Sequence, residues 1–269
     1  MRKLTEALFF LILFCGCRKE IPLVLEADKD QIVIEATIGA STVPRVVISK
    51  TQSVFSGNYY SSGVSNAMVY ITNNRGQKTD FYLSDELSGE YSQDYYRRDF
   101  FQIESGITYT LHVQIKDKVY TATSKMPNQV RLEKVKVSAS PLTFGGTINY
   151  ALTPIYTDPK GEKNFYRFIF KSVGGTDPNI YLLNDNQTDG LVNNISLLSL
   201  NALYYGQNLT VEMQSIDEAT YDYFYQLRQN SLLGQAGGPT PSDPPGNIKG
   251  GALGYFSAYS TSEIRVKIR

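Results

Sequence analysis

Short runs in which apolar and polar side chains alternate, broken about every ten residues by turn formers, restrict this chain to sheet. Ile32, Ile34, Ala36 and Ile38 alternate with Val33, Glu35 and Thr37, the period of a strand with one buried face. Ala67, Val69 and Ile71 alternate with Met68, Tyr70 and Thr72, and Asn73-Asn-Arg-Gly76 follows as a turn that tolerates positive φ. Further strands are expected at Arg45 to Lys50, Lys78 to Leu83, Gly106 through Ile115, and Val119 to Ser124. Met126-Pro127 closes this set, because proline cannot continue a central strand. The second half repeats the pattern at Val130 to Ser138, Ile148 to Tyr156, Phe165 to Phe170, Asn179 to Leu183 and Leu209 to Gln214, with Asp158-Pro-Lys-Gly161 as a turn. At the end, Ile264, Val266 and Ile268 point inward, while Arg265, Lys267 and Arg269 point outward and resist edge association. The expected fold class is mainly β: two β-sandwich-like domains over 31–127 and 128–269, with one short helix in the second. The 20 tyrosines and 13 phenylalanines, with no tryptophan, suit half-buried pleated surfaces.

The helix is expected over 216–232. Ser215-Ile-Asp-Glu218 has capping-box spacing. Tyr223, Phe224 and Leu227 fall on one helical face for packing against the sheet, and Arg228 lies in the later turns, where the dipole favours a cation. After it, the four prolines and many glycines from Gly234 to Gly246 exclude regular structure, so 234–251 is a loop leading into a strand. A second loop, between Thr51 and Asn66, is rich in Tyr, Ser, Gly and Asn, the mixture that binding loops favour. Candidate binding residues are therefore Tyr59 and Tyr60 in the first loop, and Pro241, Pro244, Pro245 and Asn247 in the second.

The N-terminus carries an address. Arg2 and Lys3 precede the apolar run Ala7 to Phe14, and Gly16 stands just before Cys17. Eight apolar residues span only about 12 Å as a helix, far short of a bilayer core, so 1–16 is expected to be a lipoprotein signal peptide. Cleavage there would leave Cys17 to carry acyl chains and 17–30 as a tether, anchoring the protein to a membrane by lipid. Both cysteines, Cys15 and Cys17, lie at this junction, so disulfides, thiolate zinc and cysteine nucleophiles are excluded from the mature domains. Removal of Arg2, Lys3 and Glu6 leaves 24 cations against 25 anions, a charge near −1, which gives no electrostatic case for nucleic acid.

Candidates for chemistry are few. His112 is the only histidine and alternates with Leu111 and Val113 onto the outer face of its strand, where no second ligand can complete a metal site. Gly250-Gly-Ala-Leu-Gly254 lacks the Lys-Ser/Thr of a phosphate loop and leads into a strand. Asp185-Asn-Gln-Thr-Asp-Gly190 keeps Asp, Asp and Gly at positions one, five and six of a calcium loop. It has Gln187 at position three and Ser196 at position twelve, so a polar turn is favoured over calcium. Among the acid pairs Asp85/Glu86, Asp94/Asp99 and Asp217/Glu218, adjacent acids diverge in a strand or turn, and spacing alone does not establish two carboxylates facing one cleft. No cofactor is expected.

Several motifs together carry a resemblance. Cys17, Ala67-x-Val69-x-Ile71, Gly89-x-Tyr91, Gly106-x-x-Tyr109-x-Leu111-x-Val113, Tyr156-x-Asp158-Pro-x-Gly161 before Asn164-Phe-Tyr166, and Pro241-x-x-Pro-Pro-x-Asn247-Ile-x-Gly-Gly-x-x-Gly254-Tyr-Phe256 resemble the domain-of-unknown-function 4249 lipoproteins of Bacteroidota. The likeness covers nearly the whole mature chain. Its first-domain pattern is shared with immunoglobulin-like and carboxypeptidase-regulatory-like sandwiches. The resemblance implies an outer-membrane lipoprotein, often encoded beside a TonB-dependent receptor, with no established activity and no catalytic residues to carry over. Members often have acidic residues directly after the lipid cysteine; here Arg18-Lys19 come first, which leaves the periplasmic or surface face open. The expectation is a non-enzymatic binding or accessory protein for a TonB-dependent outer-membrane receptor or its ligand. The alternatives are a glycan-active hydrolase and a structural or adhesive surface protein.

Overall fold

A computed structural model describes residues 31–40, 42–52, 62–93, 102–144, 147–172, 178–199, 203–235 and 242–269. The alternation read from the sequence sets the first core. Strand β1 (Ile32–Gly39) buries Ile34, Ala36 and Ile38 completely, and β2 (Arg45–Lys50) pairs antiparallel to it with Ile48 opposite Ile34. The strands β3 (Ala67–Asn73), β4 (Lys78–Asp85), β5 (Glu90–Ser92), β6 (Thr108–Ile115) and β7 (Lys118–Lys125) follow, in the spatial order β2-β5-β4-β3-β6-β7. A register shift between Leu83 and Asp85 lies where β4 meets β5, and such a bulge bends a strand. The run folds over there, so Val69, Ile71, Leu111, Val113 and Tyr120 pack into one cluster with the buried residues of β1 and β2. Burial of so many large apolar side chains, at about 25 cal/mol per Å², is the main stabilising term.

The second core is built the same way. A three-stranded sheet, in the order β12 (Leu197–Leu198), β9 (Thr147–Ile155), β8 (Lys134–Phe144), faces strands β11 (Asn179–Asn184), β10 (Phe165–Ser172) and β13 (Asn208–Ile216). Val135, Leu152 and Leu197 from the small sheet meet Tyr166, Phe168, Phe170, Val211 and Met213 from the larger one. The chain is therefore mainly β, with two sandwiches and one described helix.

The expected division at Pro127 needs one correction, and it comes from the last strand. Strand β14 (Leu253–Lys267) is 15 residues long and serves both cores. Leu253 to Tyr259 pair parallel with β1, and Ser260 to Lys267 pair antiparallel with β13. Phe256 and Ala258 are fully buried in the first core, while Ile264, Val266 and Ile268 pack on the second with the inward set expected from alternation. A strand more than twice the usual length can cross from one sandwich to the next without a turn. Residues 128–269 are thus not confined to the second unit.

Helix α1 (Glu218–Gln235) lies across the outer face of β10 and β14. Its cap is not Ser215 but Asp217, whose Oδ1 accepts the Thr220 amide at 2.9 Å. Ser215 and Ile216 remain in β13, paired with Tyr166 and Phe165, because continuing the ladder satisfies more backbone groups than an early cap would. Tyr223 and Phe224 pack on Tyr255 at ring-centroid distances of 4.9 Å, as the helical spacing predicts. Leu227 does not join them and is 45% exposed; Tyr221, against Phe165 at 5.0 Å, takes its place. The helix also continues through Gly234 and Gln235, beyond the expected end at 232, which leaves Arg228 in its middle rather than near its C-terminus.

Candidate functional site

Cys17, Tyr59, Tyr60, Pro241, Asp94 and Asp99 lie outside the described residues. The remaining residues of the second candidate loop are a clasp. Pro244 is half-buried and Pro245 exposed, and both lead into Asn247. The Asn247 Oδ1 accepts the Phe256 amide at 2.8 Å and its Nδ2 donates to the Phe256 carbonyl at 2.8 Å, so the side chain imitates a neighbouring strand. The same Nδ2 reaches the Thr123 carbonyl at 3.3 Å. Two residues on, Lys249 exchanges backbone hydrogen bonds with Thr121 at 2.7 and 3.2 Å. Asn247 was expected to meet a ligand, but its polar atoms are occupied in tying β7 to β14. A half-buried side-chain amide with its partners made is a structural device.

His112 sits on the outer face of β6, as alternation requires. Its ring stacks on Tyr70 with centroids 4.5 Å apart, and its Nε2 shares a hydrogen bond with Thr72 Oγ1 at 3.2 Å. Burial, and secondarily the Lys78 cation, hold its pKa below the ordinary 6.5. A histidine with a depressed folded pKa contributes stability that is present above its ordinary pKa and lost as pH falls through the folded value. Between about pH 7.5 and pH 5 the wild type should therefore lose more melting temperature than His112→Phe, which keeps the stack without the proton. Equal losses would show that His112 is not coupled to folding.

The acidic turn is also committed to the fold. Asp185 Oδ2 accepts the Asn164 amide at 2.8 Å, and Asp189 Oδ1 accepts the Gly161 amide at 2.6 Å. These carboxylates stitch the 185–190 turn to the Asp158–Gly161 turn. Among the described residues no three His, Cys, Asp or Glu side chains gather as metal ligands. Beneath the turns lies a residue that sequence reading passed over. Asp158 is 1% exposed and accepts the Tyr166 hydroxyl at 2.5 Å on Oδ1, with the Tyr156 ring edge-on to Tyr166 at 4.9 Å. Burial pushes the Asp158 carboxyl up and the phenols of Tyr156 and Tyr166 well up. The signal was present as Tyr156-x-Asp158 ahead of Tyr166, whose phenylalanine-like pattern hides a hydroxyl that must find a partner when buried.

A cleft of about 430 Å³ opens between the two cores, with Lys125 to Asn128 on one wall and Glu162 to Phe165 and Ser215 to Glu218 on the other. The acid pair there diverges. Asp217 caps the helix and its Oδ2 accepts Ser124 Oγ at 2.5 Å, and that hydroxyl in turn accepts the Ala258 amide at 2.8 Å. Glu218 turns to Lys163 at 3.3 Å. A pair of carboxylates facing one another across a bound glycan, the arrangement glycosidic cleavage needs, is not what these two residues form.

Among solved structures, a two fibronectin type-III domain segment from chicken tenascin is similar to the chain at 15% identity. It covers 70% of this chain and 91% of its own, with a TM-score of 0.22. A search of curated proteins gives no significant match. The sequence itself matches a protein family over residues 18–265, from the tether through β13 and nearly all of β14, and so takes in both cores, the clasp and the buried Tyr156-Asp158-Tyr166 cluster. The chain belongs to that family, the domain of unknown function DUF4249.

Proposed function

We propose that the protein is a lipid-anchored, non-enzymatic binding or accessory protein of the outer membrane, acting on a TonB-dependent receptor or on that receptor's ligand. The observation that carries this reading is how the polar side chains are used. His112, Asn247, Asp185, Asp189 and Asp217, among the described residues that the sequence singles out, each hold a polar atom in a hydrogen bond within the fold. With these side chains engaged in the fold, this reading puts recognition on exposed surfaces and loops rather than on a reactive group. The anchor rests on the Arg2-Lys3, Ala7 to Phe14 and Gly16-Cys17 arrangement.

Metabolic labelling with a palmitate analogue is expected to mark the wild type and not Cys17→Ala, and the variant should leave the membrane fraction. Equal labelling would mean that the address is wrong. Native protein from gently solubilised membranes should carry an outer-membrane receptor with it. Recovery of a labelled, clean monomer would keep the anchor and remove the partner.

A further inference from the structure

The second sandwich is open along one side. Among the described strands, its larger sheet ends on β14 beyond Tyr259, where β1 no longer pairs, and its smaller sheet ends on β8, which pairs with β9 alone. Leu132 N donates to Ser262 Oγ at 3.0 Å and Gln129 Nε2 donates to the Thr261 carbonyl, placing the entry to β8 beside β14. From that contact a groove of about 600 Å³ runs between the two edges, lined by Lys134, Val135, Lys136, Val137, Val266, Lys267 and Arg269 among others.

Both edges have backbone groups there with no partner among the described residues. The carbonyls of Tyr150 and Pro154 are taken by Ser199 N and Asn193 Nδ2 on the side of β9 that faces away from β8. Their register partners Ala139 and Val135, and Val137 between them, therefore direct N–H and C=O away from β9, toward the open edge. On β14, the Thr261 carbonyl points outward to Gln129, and by the same alternation so do the backbone groups of Arg265 and Lys267. An uncovered edge with its hydrogen bonds unmade is a template for another strand.

The side chains say which strand would fit. Lys134, Lys136, Lys267 and Arg269 are exposed along the rim and make no ion pair with a described residue, and no acidic residue lines the groove among those described. Glu133, which precedes Lys134 in the chain, accepts Thr157 Oγ1. Beneath the rim Val135, Val137 and Val266 form an apolar floor. We infer that this groove binds an extended acidic segment of a partner protein, added as a strand along β8. Alternate carboxylates would lie against Lys134 and Lys136, and the apolar residues between them would lie on the valine floor. The inference rests on the binding role proposed above and names a surface and a partner chemistry for it. A protein is favoured over a lipid surface because backbone N–H and C=O groups in ladder register match a peptide strand and not a lipid headgroup.

The test uses fluorescence anisotropy with a labelled peptide of about eight residues alternating glutamate and valine. Two derivatives, N-methylated on the glutamates or on the valines, block one edge of the peptide each. The full chain is expected to bind the parent, to lose about tenfold in affinity with one derivative and with Lys134→Glu/Lys136→Glu, and to ignore a lysine-valine peptide. The derivatives act on wild-type protein, so folding of the variant does not enter that comparison. The inference is overturned if the parent does not bind up to about 1 mM. It is also overturned if both derivatives or oligoglutamate bind as well as the parent, or if only anionic phosphatidylglycerol vesicles bind. Any of these would leave the lipid anchor and receptor copurification standing, since those are read separately.

Discussion

A chain that stops at Pro127 will not fold, although it contains every strand that sequence alternation assigns to the first sandwich. Without β14, β1 loses its parallel partner from Leu253 to Tyr259, and the first core loses Phe256 and Ala258, both fully buried. Removing one buried phenylalanine costs about 3–5 kcal/mol, and each ladder hydrogen bond contributes about 0.5–1.5 kcal/mol net. The loss is on the order of 5–10 kcal/mol, against a total stability for domains of this size of about 5–15 kcal/mol. A rescue follows from the clasp. Lys249 pairs antiparallel with Thr121, and Asn247 reaches Thr123, so the end of β7 and the residues before Asn247 lie side by side. A chain of 31–127 joined by about six glycine and serine residues to 243–260 can therefore make the same contacts through a hairpin-like link. Circular dichroism melts should show no cooperative transition for 31–127 and a cooperative one for the fused chain. Cooperative melting of 31–127 alone would refute the role given to β14.

This also marks where sequence reading reached its limit. The strands at Arg45–Lys50, Phe165–Ser172 and Asn179–Asn184 were legible because side-chain alternation is local, and burial of Val46, Phe168 and Tyr181 follows from it. Which strand pairs with which is not local. Leu253 to Tyr259 pairs with a strand more than two hundred residues earlier, and nothing in Leu-Gly-Tyr-Phe-Ser-Ala-Tyr differs in period from a strand of the second core. The helix start failed for a related reason. Ser215-x-x-Glu218 and Asp217-x-x-Thr220 both offer a cap three residues before a partner. Only the ladder that holds Ile216 opposite Phe165 decides between them. The second candidate loop was legible as a motif, but its part in the fold was not. Asn247 stands in a segment whose glycines and prolines resemble those of a binding loop, yet its amide completes the ladder at Phe256. The Asp158 and Tyr166 pair was visible only as spacing, because a turn residue and a strand residue give no sign that burial will join them.

Gly254→Ala is expected to be the most damaging single substitution in the clasp, and Gly251→Ala, three residues away, a mild one. Both glycines have positive φ, 104° and 85°, where an L side chain is strained by about 1–3 kcal/mol. They differ in what a Cβ would meet. At Gly251 there is nothing within 4 Å. At Gly254 the added carbon would lie 2.0 Å from the Ile34 carbonyl oxygen and 2.8 Å from its carbon. Those atoms are backbone in the parallel ladder, where Ile34 pairs with Gly254 itself, so relief requires β1 and β14 to separate. Separation would also pull Phe256 from its core and from the Asn247 amide. The strain and the lost packing act on the same strand, and together should cost about 4 kcal/mol or more, against about 1 kcal/mol for Gly251→Ala. Thermal and urea unfolding of the two variants measures the difference. If they melt within a degree or two of each other, the close approach of Gly254 to Ile34 is not what holds the first and last strands together.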